Sequence, residues 1–569
     1  RTNYFETVPA NQLELALWLE SDRMGYLLEK IDQPALSNQQ DVVRNERRQS
    51  VENRPYGLAE EALIQTLFPK GHPYYGDVIG SHEDIQAVKL DDVNRFFRQF
   101  YAPNNASLAI VGDFEPAQAK ALIEKYFGTL KRGPAVPAVE TETPAITAER
   151  RRVVTAPVEL PRVYMAWLSP PIFKPGDADA DIVASVLGSG RSSRLYRTLV
   201  YEKQIAQDVS AFQQSLVLGS VFQIEATARP GHTVEELEQA IDEELALLKM
   251  QAPDIREIER SRNTIETYMI GGLERLGGFG GVSDRLNSYN HYLGTPDYFD
   301  KDIQRYRAVT PASVQAFARE YLTESGRVVM HVLPGEAEAP AAQDSPSAVQ
   351  SVTPAPAVSQ EVATAGGAGG EGASINDDEP WRFEMPTPGP ARLVELATPA
   401  STTLPNGLTL ILNERSGVPI VAANLVFKTG SDANPLDKVG LASFVGAMLD
   451  EGTATRGALE IADEVASLGA TLSTGSTMDA TTVRAQSLLK NFEATLGLMA
   501  DVVLRPSFPA EEIERQRMSR LSDLAQGRDD PGQVAGEVMA AALYGPRHPY
   551  GYTETGTESS VQGLMRDDM

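Results

Sequence analysis

The chain of 569 residues contains no cysteine. That excludes disulfides, thiolate metal sites and a cysteine nucleophile. Only six histidines are present, so any metal must be held by a few imidazoles together with carboxylates. No apolar run approaches the roughly 18 to 20 residues of a membrane-spanning helix. Cationic residues are in deficit, 51 Lys and Arg against 78 Asp and Glu, for a formal net charge of -27. A phosphate backbone is bound by a concentrated basic surface, so this balance argues against nucleic acid as partner. Arg1 is not an initiator methionine, and the lack of a visible signal peptide therefore says nothing about export.

What is present is ordinary globular material, 42% hydrophobic and 23% charged, in a chain too long for one core. From about Gly335 to Pro390 the composition turns to Ala, Pro, Gly, Ser and acidic residues, with Gly-Gly-Ala-Gly-Gly at 366 to 370. Such a stretch cannot offset its ordering entropy by burial. As a flexible coil of about 55 residues it would span roughly 40 Å, and residues 336–390 are read as a disordered linker between two halves.

Before the linker, helix patterns cover about 10 to 28, about 39 to 53, the stretch after Pro55-Tyr56-Gly57, and a segment capped by Ser81-His82-Glu83-Asp84 with Val93, Phe96, Phe97 and Phe100 as its buried face. Ala106 to Val111 is expected to be a strand. A second unit follows a Pro-rich joint. It has strands near Arg151 and over Arg162 to Leu168, a hairpin over Val209 to Ala228, two long helices across 233 to 270 and a closing strand Val328 to Leu333. Helices mixed with short antiparallel strands indicate an α+β fold.

An internal repeat crosses the linker. Pro55 precedes Leu67-Phe68-Pro69-Lys70-Gly71-His72-Pro73-Tyr74, and Pro531 precedes Leu543-Tyr544-Gly545-Pro546-Arg547-His548-Pro549-Tyr550, with the same Pro-to-His interval. The second copy starts at an earlier point, with a strand over Leu404 to Ile411, another near Val421 to Phe427 and a helix around Gly440 to Leu449. Thr481 to Ala485 falls where Thr2 to Glu6 fall in the first copy. By this register the first half lacks roughly 75 to 80 residues at its start and the second most of its later part.

Among residues that could carry chemistry, Glu46 lies in Asp41-Val42-Val43-Arg44-Asn45-Glu46-Arg47-Arg48. A lone helical Glu is ordinarily a solvated partner of nearby arginines. Here Val42, Val43, Glu46, Ser50 and Asn53 share one stripe, while Arg44, Arg47 and Arg48 are expected to point elsewhere. A carboxylate turned inward needs a cation, a metal or strong hydrogen bonds. His72 and His548 recur at equivalent positions and read as structural. His82, His232, His291 and His331 have no partner at ligand spacing. Gly188-Ser189-Gly190-Arg191-Ser192-Ser193-Arg194 lacks both the dinucleotide-binding glycine pattern and the P-loop lysine.

Taken in order, Leu19 to Met24, Val42 to Arg48, Glu52-Asn53-Arg54-Pro55-Tyr56-Gly57, Gly71-His72-Pro73-Tyr74, Ile79-Gly80 and Tyr101-Ala102-Pro103-Asn104-Asn105-Ala106 resemble the N-terminal half of pitrilysin/insulinase peptidases. The resemblance continues through Gly188 to Gln204 and returns at Leu404-Pro405-Asn406-Gly407 and Gly430-Ser431. It implies repeated domains of the mitochondrial-processing-peptidase-like metallohydrolase type, in two halves around an enclosed chamber. The expected segments are 1–133 (the remainder of the N-terminal peptidase domain), 148–335 (the second domain), the linker, and 391–569 (an incomplete noncatalytic peptidase-like domain).

The family carries the inverted zinc motif H-x-x-E-H on a helix, its Glu serving as general base, with a third ligand Glu about 75 residues downstream. By resemblance Glu46 is that ligand. The motif occurs nowhere in this chain, and the resemblance places it ahead of Arg1, together with the general base. In the second copy Ser443, Gly446 and Ala447 stand at the ligand, base and ligand positions and Ser522 opposite Glu46, a degenerate site. The implied function is a zinc-dependent endopeptidase acting on peptides or unfolded polypeptides, with Zn2+ in the complete parent and neither zinc nor activity expected of the chain alone. The competing reading is a noncatalytic partner subunit or scaffold, in a homo- or hetero-dimer. Resemblance to exported members suggests the periplasm, with the cytoplasm as the alternative.

Overall fold

The computed structural model of the chain describes residues 1–139, 141–336, 374–391 and 397–569. Its helices begin with α1 (Leu13–Tyr26), α2 (Gln33–Arg47), α3 (Gly57–Leu67), α4 (His82–Ala87), α5 (Leu90–Phe100) and α6 (Pro116–Phe127). They continue with α7 (Asp177–Gly188), α8 (Val234–Met250), α9 (Ile255–Gly271), α10 (Val282–Leu293), α11 (Phe299–Ala308) and α12 (Pro311–Tyr321). After the linker come α13 (Leu441–Met448), α14 (Ala458–Ser467), α15 (Phe492–Leu504), α16 (Ala510–Gln526), α17 (Pro531–Tyr544) and α18 (Glu558–Gly563). The strands are β1 (Arg150–Ala156), β2 (Arg162–Ser169), β3 (Ala206–Gln214), β4 (Ser220–Ala228), β5 (Arg327–Pro334), β6 (Ala400–Thr403), β7 (Thr409–Leu412), β8 (Ile420–Phe427), β9 (Thr471–Ser476) and β10 (Thr481–Leu488). The α+β reading holds.

Two compact units are formed. Of the described residues, one comprises Arg1–Arg47, Ile79–Val139 and 374–391; the other comprises Arg48–Val78, 141–336 and 397–569. This division cuts across the segment 1–133 expected from sequence, because α3 belongs with the second unit. The reason is packing. In the five-stranded sheet β1-β5-β2-β4-β3, side chains alternate between faces. Val163, Met165 and Trp167 face a core built with α7, α8 and α12. Tyr164 and Ala166 face the other way, onto Ala59, Ala62, Leu63, Leu67 and Phe68 of α3 and the turn after it. Tyr56 Oη donates to Leu160 O at 2.8 Å and Arg150 donates to Thr66 O, which ties α3 to this sheet.

The sheet is not wholly antiparallel as expected: β1 runs parallel to β5, while β2, β3 and β4 pair antiparallel. The hairpin β3–β4 and the two long helices α8 and α9 stand where the sequence placed them. Both helices start in capping boxes, Thr233 with Glu236 and Asp254 with Glu257, which satisfy the first orphan N–H groups. A second sheet has the order β8-β10-β9. Leu404 to Ile411 is not one strand. It turns at Asn406-Gly407, with Gly407 at φ 90°, so that β6 and β7 form a hairpin as Asn-Gly favours.

Two further expectations in the first unit are corrected, the strand at Ala106 to Val111 and the buried face of α5. Ala106 to Val111 adopts no strand; strand-forming residues become a strand only against a partner. Thr2 to Glu6, aligned by the repeat with β10, is irregular, whereas β10 pairs on both sides. On α5, Phe96 is 57% exposed and the inward positions are Asn94 and Phe97.

Most of the linker, residues 337–373, lies outside the described residues. Its C-terminal end departs from the disordered reading, because it is tied down within the first unit. Ser374 Oγ donates to Gly25 O, Tyr26 Oη donates to Asp377 O, and Trp18 Nε1 donates to Trp381 O. Trp381 packs edge-on against Tyr26 and Tyr126. The Arg382 guanidinium lies 3.6 Å from the Tyr26 ring centroid and pairs with Asp22, Glu29 and Asp378. Two large anchors thus offset the ordering cost of a Pro-rich strap. Trp381→Ala is expected to weaken this docking by about 1–2 kcal/mol, read as faster hydrogen exchange across 374–389; unchanged exchange there refutes the anchor.

Candidate metal centre

Glu46 sits in the last turn of α2, directly before a π-helical turn, Arg48–Glu52. Helix α2 begins earlier than expected and is held to α4 by Gln40, whose Nε2 donates to Ile85 O at 2.8 Å and Val88 O at 3.0 Å. Arg44 Nε approaches His82 Nδ1 at 3.5 Å. The stripe read from the sequence is rotated in the structure. Val42 is 48% exposed and Glu46 is exposed, whereas Arg47, expected to point away, is 6% exposed and donates to Gly80 O at 3.0 Å. Two adjacent valines are a weak phase marker, and the Arg47 contact with the turn before α4 sets the helix rotation.

In the second copy the residues read from sequence as a degenerate site lie on α13 and α16. Gly440, at φ 92°, starts α13 where an added Cβ would meet Gly556 Cα and Thr555 O at 2.8 Å, so the helix enters against the 553–557 loop. Ser443 Oγ donates to Glu554 O at 2.6 Å and accepts from Arg520 Nη1 at 2.9 Å. Arg520 Nη1 also reaches Thr555 O at 3.1 Å, and burial pushes its guanidinium down. Gly446 is buried, and a Cβ there would lie 3.1 Å from Gly475 Cα; α13 rides on β9 at this point. Ala447 is half-buried. Ser522, 3% exposed, turns its hydroxyl onto its own helix, to Met518 O at 3.1 Å.

These residues do not fit zinc. Hydroxyl, hydrogen and methyl replace the imidazole and carboxylate donors that zinc requires, and a guanidinium already bonds the first position. In the first copy Glu46, the ligand expected from sequence, is an exposed carboxylate. Among the described residues no group of three or more His, Cys, Asp or Glu is placed to hold a metal ion.

His72 and His548 take the structural roles read from the repeat. His72 is buried and stacked on Phe68 at 4.7 Å. Its Nδ1 accepts from Tyr74 N at 3.1 Å, so Nε2 carries the proton toward Thr143 Oγ1, also at 3.1 Å. Burial pushes the ring down, toward the neutral form. His548 repeats the turn, accepting from Tyr550 N at 3.1 Å and stacking on Tyr544 at 5.4 Å. His331 bonds Glu238 at 2.8 Å, and His232 pairs with Glu236.

Sequence reasoning missed a buried ionic network in the second unit. Glu451 is 0% exposed and takes Arg191 at 2.9 Å, together with Arg515 and Gln516. Glu512 takes Arg515 Nε at 2.7 Å and Tyr201 Oη at 2.5 Å. The partners lie up to 311 residues apart, and no local pattern marks them.

With this geometry in hand, comparison with known proteins identifies the class. A family model described as the peptidase M16 inactive domain matches residues 87–265, and one described as insulinase (peptidase family M16) matches 410–551. The chain belongs to the insulinase, or M16, family of peptidases. It is 30% identical over 304 residues to the zinc protease PqqE of Helicobacter pylori, covering 52% of this chain and 67% of that one. It is 30% identical over 168 residues to an uncharacterized zinc protease of Mycobacterium leprae, covering 30% of this chain and 38% of that one. The chain thus spans two thirds of the first relative and well under half of the second. Among solved structures, a protease from Helicobacter pylori matches with a TM-score of 0.52 at 24% identity, over 57% of this chain and 77% of that one. This supports the fold.

Proposed function

We propose that the complete protein is a zinc-dependent endopeptidase acting on peptides or unfolded polypeptides in an enclosed chamber, with Glu46 as one zinc ligand and H-x-x-E-H on a helix ahead of Arg1. The observation that carries this reading is the ordered set of family motifs around Glu46, from Val42 through Tyr74, in a chain 30% identical to a relative named a zinc protease. Segment 391–569 is the noncatalytic half, which encloses substrate without holding metal, and the site is periplasmic. In this reading the chain by itself binds no stoichiometric zinc and hydrolyses nothing, since H-x-x-E-H occurs nowhere in it.

The test compares this chain with the complete protein. The complete protein is expected to contain one zinc per chain, to cleave a quenched peptide, to stop on chelation and to recover with added zinc; this chain is expected to do none of these. The competing reading is a noncatalytic partner subunit or scaffold; Ser443, Gly446 and Ala447 do not separate the two, because a noncatalytic second half belongs to both. Absence of both zinc and cleavage in the complete protein would establish that reading and end the first.

A further inference from the structure

The strap 374–389 lies on the first unit as a bound peptide lies in a groove. Its ends are held through main chain. Ser374 Oγ and Asn376 Nδ2 donate to Gly25 O at 2.6 and 2.9 Å, and at the other end Gly389 N donates to Asn11 O while Gly389 O accepts from Asn11 Nδ2, both at 2.9 Å. Between the ends, Trp381 sits edge-on to Tyr26 and Tyr126, and Arg382 reaches Asp22 at 3.1 Å and Glu29 at 2.9 Å. Main-chain bonds joined to a few side-chain anchors are how short linear segments are recognised.

The strap is an imperfect occupant of this groove. Trp381 Nε1 is buried without a hydrogen-bond partner among the described residues, a desolvation cost that a phenyl ring does not carry. The strap also brings two carboxylates of its own, Asp378 and Glu379, to a rim that already holds Glu29, and all three act on the Tyr26 hydroxyl. Arg382 is divided among Asp22, Glu29 and Asp378. Like charges gathered around one guanidinium repel one another and weaken its hold. A segment with an aromatic residue followed by arginine, and without the acidic pair, keeps both anchors and sheds the repulsion.

We propose that the groove built by Asn11, Trp18, Asp22, Tyr26, Glu29 and Tyr126 is a docking site for an extended segment of an unfolded polypeptide that carries an aromatic residue followed by arginine, with the strap as its resident, displaceable occupant. That the visitor is a polypeptide acted on by the protein rests on the function proposed above. The strap of a second copy is a poorer visitor, because it leaves an identical groove to make identical contacts while association costs translational and rotational freedom. The resident strap is tethered and so present at high effective concentration. A visiting segment enters as the strap lets go, and its apparent affinity falls by the fraction of time that the groove is open.

The test is fluorescence polarisation of the full chain with a labelled synthetic peptide of residues 374–391 carrying Asp378→Ser and Glu379→Ser. Saturable binding is expected. It should weaken at least about 10-fold when the peptide also carries Arg382→Glu, which turns the anchor charge against Asp22 and Glu29. It should tighten at least about 10-fold on a chain carrying Trp381→Ala and Arg382→Ala, whose own strap is loosened. With an isotope-labelled peptide at saturation, hydrogen exchange of the resident 374–389 should accelerate, which places the peptide in the groove. Absence of saturable binding, indifference to Arg382→Glu, or unchanged exchange of the resident strap overturns the proposal. A concentration-dependent dimer that the peptide dissolves gives the groove to a second copy and also overturns it. If the doubly substituted chain does not fold, the exchange measurement on the unsubstituted chain decides. None of these readouts involves zinc or cleavage, so failure here and failure of the proposed peptidase activity are told apart.

Discussion

Glu46→Gln in the complete protein is expected to lower peptide cleavage by at least about 100-fold, with zinc lost more readily to a chelator. Substituting even a residue that only orients a metal ligand costs about 10- to 100-fold in metal affinity or activity, and an amide in place of a ligand carboxylate removes both charge and a donor oxygen. The exposure of Glu46 separates this from a structural effect, because exposed substitutions usually stay within about 0.5 kcal/mol. Unfolding of the variant should therefore match the parent while activity and zinc retention fall. Full activity with normal zinc content in Glu46→Gln would remove Glu46 from the ligand set.

The largest stability effect is expected at Glu451. Glu451→Ala leaves the Arg515 guanidinium, 4% exposed, with Glu512 as its remaining carboxylate, and strips Arg191 of its 2.9 Å partner. Breaking a buried pair from one side costs about 3–5 kcal/mol, because the surviving charge stays buried. Replacing both ends is milder, so Glu451→Ala combined with Arg515→Met should recover much of the loss. Denaturant unfolding of the four proteins in this cycle measures the coupling directly. A loss below about 1 kcal/mol in Glu451→Ala, or simple additivity in the double variant, would show that the network does not hold the second unit together.

How legible these features were depended on how local their causes are. The turns holding His72 and His548 could be read because each closes within a few residues, histidine accepting from the N–H two positions on and stacking on the aromatic residue four before. Helices α8 and α9 were legible from their period. Glu46 was legible as a candidate through its motif, but its orientation was not, since Arg47 and Gly80 decide the helix rotation. The same register that makes β10 a paired strand leaves Thr2 to Glu6 irregular, because pairing partners rather than propensity make a strand.

The sequence by itself determined the α+β class, the repeat, the family and the absence of zinc donors at Ser443, Gly446 and Ala447, since these rest on residue identity and short-range spacing. Only the tertiary structure decided that α3 packs on the β1–β5 sheet, that 374–391 is anchored by Trp381 and Arg382, and that Glu451 is buried among Arg191, Arg515 and Gln516. Each of these depends on groups far apart in the chain. Their energies come from burial and charge compensation that exist only once the distant segments meet.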